Sequence, residues 1–249
     1  MTTPKFNFTQ KIRWVRLLIK GLFSSFEKDT ANAILQMSNA KNPVILDIGA
    51  NIGLFTKAFA QSKRKPKLII SLEPSTYVFQ ILKRVSRNFS NVKCFQVAIS
   101  DSKGLANLNM PLKPSGSIRV GLSHIGKPEQ QEQLTEKVET NTLDGFLDEN
   151  VQENVDIVKI DVEGAEGLVL RGGRKLLQDI RPIWFVEISE FGDRFNCRAE
   201  DVFNDFLALN YQPFIYYLEG RFEKKTCLEI GNNYLFIPAE KVKSAGKSL

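Results

Sequence analysis

Residues 44–55 read VILDIGANIGLF. The apolar run Val44–Leu46 leads into Asp47, glycines follow at Gly49 and Gly53 with Asn51 between them, and apolar residues resume at Leu54. This pattern reads as a buried strand passing through a tight turn into a helix, with ligand groups at the carboxyl edge of a sheet. Gly49 permits the tight turn and Gly53 the close packing of turn on helix. Asn51 stands where many nucleotide folds use glycine, and asparagine is the non-glycine residue that best tolerates positive φ.

Downstream, strand and helix patterns alternate. KLIISLEP is a second strand, Ser75–Phe89 a helix, NVKCFQVAIS a third strand, VDIVKIDVEG a fourth and PIWFVEIS a fifth. AEGLVLRGGRKLLQDI and AEDVFNDFLALN read as helices, and YQPFIYYLEG and NNYLFIPAE as two final strands that run antiparallel to each other. This alternation predicts an α/β protein, a doubly wound Rossmann-like sheet of seven strands, mostly parallel, with the last antiparallel. The expected organisation is a helical section over residues 1–42, a main domain over 43–240 and a frayed tail over 241–249. Within the main domain, residues 101–140 break the rhythm as an insertion: DSKGLANLNM reads as a short extended segment after a turn, and KPSGSIRVGLSHIGKPEQQEQ as an irregular stretch rich in Gly, Ser, Pro and polar residues.

The composition, 43% hydrophobic and 25% charged over 249 residues, is that of an ordinary globular chain. No apolar run is long enough to span a bilayer and no secretory leader is evident, so the cytoplasm is the expected location. Cys94, Cys197 and Cys227 are widely separated and form no CxxC, and His124 is the single histidine, which excludes a zinc site or a histidine-rich metal centre. The net charge of +6 suits acidic partners without requiring nucleic acid, and no RNA-binding module is evident. In QKIRWVRLLIKGLFSSF, Ile12, Val15, Leu18, Ile19 and Leu22 recur at helical spacing among Lys11, Arg13, Arg16 and Lys20. Two readings are open: a helix packed on the main domain with its charged face in water, which is the favoured one, and a helix lying on a membrane.

The turn is not the dinucleotide fingerprint GxGxxG. A pyrophosphate needs bare backbone near it, and Asp47 would repel it. An acid suits a ligand with a positive group, as in S-adenosylmethionine, which carries an ammonium and a sulfonium. Glu73 ends the second strand twenty residues beyond Gly53, a position from which an acid accepts hydrogen bonds from ribose hydroxyls. The alternative is that Glu73 caps the helix beginning at Ser75.

Together DIGANIG, LEP, AISD, NTLD and KIDVEGAE followed by GG and LL resemble the FkbM-type methyltransferases, over about residues 43–190. The resemblance implies a class I, S-adenosylmethionine-dependent enzyme, most often an O-methyltransferase. It implies that Asp47, Gly49, Asn51, Gly53 and Glu73 surround the cofactor, with Ala98 beside the adenine.

Lys159 and Asp161 lie two apart on the fourth strand and share a face. A buried lysine needs a partner, and Glu187 on the fifth strand is the expected one. Asp161 at the strand end has three open roles: holding the cofactor ammonium, orienting a substrate hydroxyl, or binding a divalent ion with Glu163 or Glu187. Glu166 reads as a helix N-terminal acid stabilised by the dipole. His124, flanked by Gly121 and Gly126, is a candidate general base or substrate contact, with an incidental loop histidine as the alternative. Arg119 and Lys127 are candidates to hold an acidic substrate.

The expected function is S-adenosylmethionine-dependent O-methylation of a small molecule or a sugar hydroxyl, with Asp161 and His124 as catalytic candidates. No metal ligands are assigned, and metal dependence and oligomeric state are open. The rivals are a nicotinamide oxidoreductase, a methyltransferase acting on protein or RNA, and a catalytically silent cofactor-binding protein.

Overall fold

The computed structural model describes residues 6–126, 132–188, 195, 197–217 and 221–245. Helices α1 (Phe8–Phe23) and α2 (Lys28–Met37) precede strand β1 (Val44–Ile48), helix α3 (Leu54–Gln61), β2 (Leu68–Leu72), α4 (Thr76–Ser86) and β3 (Val92–Phe95). Next come β4 (Ala98–Ser100), β5 (Gly104–Pro111), β6 (His124–Ile125), β7 (Gln133–Thr142) and α5 (Leu143–Asn150). The chain ends with β8 (Ile157–Ile160), α6 (Glu166–Gly172), β9 (Ile183–Glu187), α7 (Ala199–Ala208), β10 (Tyr211–Tyr217), β11 (Arg221–Lys224), β12 (Asn233–Pro238) and α8 (Ala239–Ala245).

The main sheet has the order β11-β10-β12-β9-β8-β1-β2-β3. β1, β2, β3, β8 and β9 run parallel, and β12 is antiparallel to both β9 and β10. The sheet is thus eight-stranded where seven strands are expected, because β11 pairs antiparallel with β10 and adds an outer edge. The predicted third strand also divides: β3 stays in the main sheet, whereas β4 leaves it.

Two-residue alternation along the central strands builds two cores. Val44, Leu46 and Ile48 of β1 and Trp184 and Val186 of β9 face a core with Phe146, Leu170, Phe203 and Phe206. Ile45, Ile157, Ile183 and Phe185 face the opposite core, with Ile34, Leu35 and Phe59 of α2 and α3. Both faces of the sheet are covered, so the central strands read as continuous apolar runs.

Residues 101–140 hold the expected extended segment as β5, and also the unexpected strands β6 and β7. β4, β5, β6 and β7 form a second sheet of order β4-β7-β5-β6. Its Leu108, Met110, Ile125 and Val138 pack against Tyr77, Ile81 and Val85 of α4 and Leu17 of α1 in a third core. β7, QLTEKVETNT, alternates in burial but places Glu136 and Thr140 at inward positions, so its sequence lacks apolar periodicity. The Glu136 carboxylate accepts from the Thr76 backbone N–H at 3.2 Å and from the Thr76 hydroxyl, at the positive end of α4.

Helix α1 packs on the domain with Lys11, Arg16 and Lys20 in water, but the apolar residues expected to face inward do not. Its buried residues are Gln10, Leu17 and Gly21, while Ile12, Val15, Ile19 and Leu22 are exposed. At the far end, residues 241–245 continue α8 rather than fraying, and Arg181 meets Glu240 in that helix at 2.7 Å. No helix among the described residues is long and apolar enough to cross a membrane.

Candidate active site

The turn after β1 is the floor of the site. Gly49, Asn51 and Gly53 all have positive φ (74°, 49° and 83°), as the glycine and asparagine spacing requires. A Cβ on Gly49 would stand 1.8 Å from the Asp161 carbonyl oxygen, so only glycine lets the turn lie against the end of β8. Glu73 closes the turn. One carboxylate oxygen accepts from the Asn51 N–H and the other from the Ser75 N–H, both at 3.0 Å. The acid therefore also caps the start of α4, as the alternative reading has it. Burial pushes the Glu73 carboxyl up to about 7, outweighing the two backbone N–H groups.

Lys159 sits beneath this floor, 3% exposed, and its partners correct the expected pairing with Glu187. The ammonium donates to the Gly49 carbonyl oxygen at 2.8 Å and lies 3.4 Å from Asp47 and 3.3 Å from Asp161. Strand register explains this: Asp47 stands opposite Lys159 across β1 and β8, whereas the residue opposite on β9 is Phe185. Burial presses Lys159 to lose its proton, but the Asp161 and Asp47 charges outweigh it and hold the pKa above the ordinary lysine value. Glu187 instead feels Asp161: burial, followed by the Asp161 charge, pushes its carboxyl up to about 7.

Asp47 lines neither cavity described below. It is fully buried and accepts from Thr56 Oγ1 at 2.7 Å, so it acts on the site only through Lys159 and Thr56. Gly53 likewise packs on Leu82 of α4 and lines neither cavity described below. Glu166 is buried in the first turn of α6 and accepts from the Gly164 N–H at 3.1 Å, with its carboxyl pushed up to about 7 by burial.

Above the floor lies a cleft of about 600 Å³, counting its open mouth, lined by Gly49, Asn51, Glu73, Ala98, His124 and Asp161 among others. The second sheet is its roof. His124 is not on a mobile loop: it is buried in β6, paired with Asn109 of β5. Its Nδ1 lies 3.3 Å from the Leu122 carbonyl oxygen, and its Nε2 has no partner among the described residues. Ser123 Oγ, beside it in the wall, is equally unpartnered. Arg119 lines neither cavity, and Lys127 lies outside the described residues.

A second cavity meets the first at Gly49, Asn51, Val120 and Asp161. Its outer wall is Arg13, Leu17 and Lys20 of α1 with Glu27, and Lys159 and Phe55 lie deeper. Burial, only partly offset by Lys159, raises the Glu27 pKa. These N-terminal residues carry no motif, and nothing in their spacing reveals that they reach the site. Among the described residues no group of three or more His, Cys, Asp or Glu side chains is arranged to hold a metal ion.

The chain is similar to known proteins. The family profile described as the methyltransferase FkbM domain matches residues 47–215. The 2-O-methyltransferase NoeI of Sinorhizobium fredii is 29% identical over 170 residues, covering 65% of this chain and 68% of that protein. Methyltransferase 1 of Beauveria bassiana is 31% identical over 144 residues, covering 51% and 57%. The crystal structure of an FkbM methyltransferase from Methylobacillus flagellatus superposes with a TM-score of 0.50 at 14% identity, over 90% of this chain and 58% of that one, which is a likeness of fold. With the profile spanning more than half of its length, from Asp47 at the end of β1 into β10, the chain belongs to the FkbM methyltransferase family.

Proposed function

We propose that the chain transfers a methyl group from S-adenosylmethionine to a hydroxyl oxygen of a small molecule or a sugar. The observation that carries this is the convergence of Glu73, the Gly49–Asn51 turn, Asp161 and the unpartnered His124 Nε2 on one cleft. The donor set fits the cofactor. Glu73 and Asn51 would meet its ribose hydroxyls and Ala98 its adenine. The cofactor supplies an electrophilic methyl group; the protein has to align the acceptor and remove its proton.

A carbonyl oxygen only accepts, so the contact with Leu122 puts the imidazole proton on Nδ1 and leaves a lone pair on Nε2. In this reading Nε2 takes the acceptor's hydroxyl proton. Asp161, 31% exposed on its side chain and part of both cavities, orients the hydroxyl, and Lys159 fixes the Asp161 carboxylate. The name of NoeI, a 2-O-methyltransferase, supports oxygen as the methylated atom.

Titration calorimetry with S-adenosylmethionine, S-adenosylhomocysteine and NAD tests the reading. We expect the first two to bind, NAD not to, and Glu73→Ala to lose binding. Binding of NAD alone would overturn it. His124→Gln should still bind cofactor while methyl transfer to hydroxylated acceptors drops by about 10²–10⁴-fold. A wild-type chain that binds cofactor yet methylates no acceptor pool would favour the silent binding protein.

A further inference from the structure

Helix α1 is fixed to the domain by an unusually polar inner face. The Tyr77 hydroxyl donates to the Gln10 carbonyl oxygen, Gln10 Nε2 donates to the Gly116 carbonyl at 3.2 Å, and Trp14 Nε1 donates to the Tyr77 carbonyl at 2.9 Å. At the C-terminal end, the Lys57 ammonium donates to the carbonyls of Gly21 and Leu22 at 2.7 and 2.9 Å, where the helix dipole is negative. Gly21 lies so close to α4 that a Cβ would meet Val85 at 2.7 Å. The helix therefore has one defined rotation about its axis, and turning it over would break each of these contacts.

In that rotation the outward face is apolar. Phe8, Ile12, Val15, Ile19, Leu22 and Phe23 are exposed by 40% to 82%. At 3.6 residues per turn they form a stripe about 100° wide, opposite Leu17. Phe26, 78% exposed, follows just beyond the helix. Lys11 borders one edge of the stripe and Arg16 the other, with Lys20 behind Arg16, and all three are exposed. The helix contains four cations, Lys11, Arg13, Arg16 and Lys20, and no acid.

We infer that α1 seats this protein on an anionic lipid surface, with the stripe at the boundary of headgroups and acyl chains and Lys11 and Arg16 at its edges on the lipid phosphates. A contiguous exposed apolar face calls for a partner, and charge selects which one. A second copy in a two-fold contact through the stripe would bring Lys11 and Arg16 of both copies together, four cations, with no acid from either helix. An anionic bilayer offers both the apolar layer and the missing negative charge. The opposite flank of α1 carries Arg13, Leu17 and Lys20 in the wall of the second cavity, so the mouth of the site stands about one helix diameter, roughly 10 Å, from the bilayer.

Flotation of the full chain tests this, with phosphatidylcholine vesicles and with vesicles holding about one-third phosphatidylserine. We expect flotation with the anionic vesicles at low salt, at least about tenfold weaker binding to the neutral ones, and a further loss of about tenfold or more in the Ile12→Ser, Val15→Ser, Ile19→Ser triple variant. Circular dichroism and the unfolding midpoint of that variant establish that it is folded. Lys11→Gln with Arg16→Gln, which removes no apolar contact, should lose the preference for anionic lipid even if the triple variant does not fold. A chain that stays at the bottom of the gradient with both vesicles overturns the inference. So does a dimer in sedimentation analysis that the folded triple variant converts to monomer, which would assign the face to a second copy.

Discussion

Lys159 is 3% exposed at the centre of the main sheet, whereas Ile19 on α1 is 53% exposed at the surface. Each is on the side of the solvent boundary that its chemistry disfavours. Lys159 is held there by contacts inside the chain: two carboxylates and a backbone carbonyl surround its ammonium, and the face of Phe55 lies 5.5 Å away. The stripe around Ile19 has no such compensation within the described residues. A buried charge with a full set of partners explains itself as architecture, while an exposed apolar face on a firmly fixed helix points outside the molecule.

The largest expected effect lies at the buried end of this contrast. Lys159→Met leaves Asp47 buried without its cation and should cost about 3–5 kcal/mol, read by denaturant unfolding. A loss under about 1 kcal/mol would mean that Asp47 is neutral or satisfied by Thr56 alone, and the contrast would break there.

A middle effect concerns buried acids whose burial outweighs every favourable contact. Glu73 and Glu166 have carboxyls pushed from the ordinary 4.5 up to about 7. Between these values the folded chain holds protons that the unfolded chain has released, so their contribution to stability is lost as pH rises through about 7 and regained as pH falls toward 4.5. Glu166→Gln should remove its share, about 3 kcal/mol across that window, so the gap between its melting temperature and that of the wild type should change with pH. A gap that stays constant would show that Glu166 ionises at its ordinary value.

The smallest effect sharpens the other end. Ile19→Ser should change stability by no more than about 0.5 kcal/mol, because water already reaches the side chain. A loss of about 2 kcal/mol or more would mean that Ile19 is covered in solution without any lipid, and thermal unfolding at two protein concentrations would reveal whether by a second copy.

Much of this molecule could be read along the chain, where local chemistry and tertiary demand coincide. The turn at Gly49, Asn51 and Gly53 is legible because positive φ restricts the residue types allowed. The strand-terminal Glu73 is legible because its spacing from the turn is set by one helix and one strand. The second sheet is not legible, since Glu136 in β7 satisfies the start of α4 from inside the molecule, and a carboxylate at an inward position hides the strand's period. His124 was visible as a lone histidine, but its burial in β6 with a free Nε2 depends on β5 lying beside it.

The sequence by itself determined the doubly wound core and the glycine-and-asparagine turn, because these follow from period-two burial and from backbone geometry within a few residues. Only the tertiary structure decided that Lys159 pairs with Asp47 and Asp161 rather than Glu187, and that α1 turns its apolar face outward. Both depend on which segments, distant along the chain, come to lie side by side. The pairing register of β1 with β8 selects the partner of a buried charge, and the polar anchors at Gln10, Trp14 and Lys57 fix the rotation of a helix whose own pattern fits either orientation.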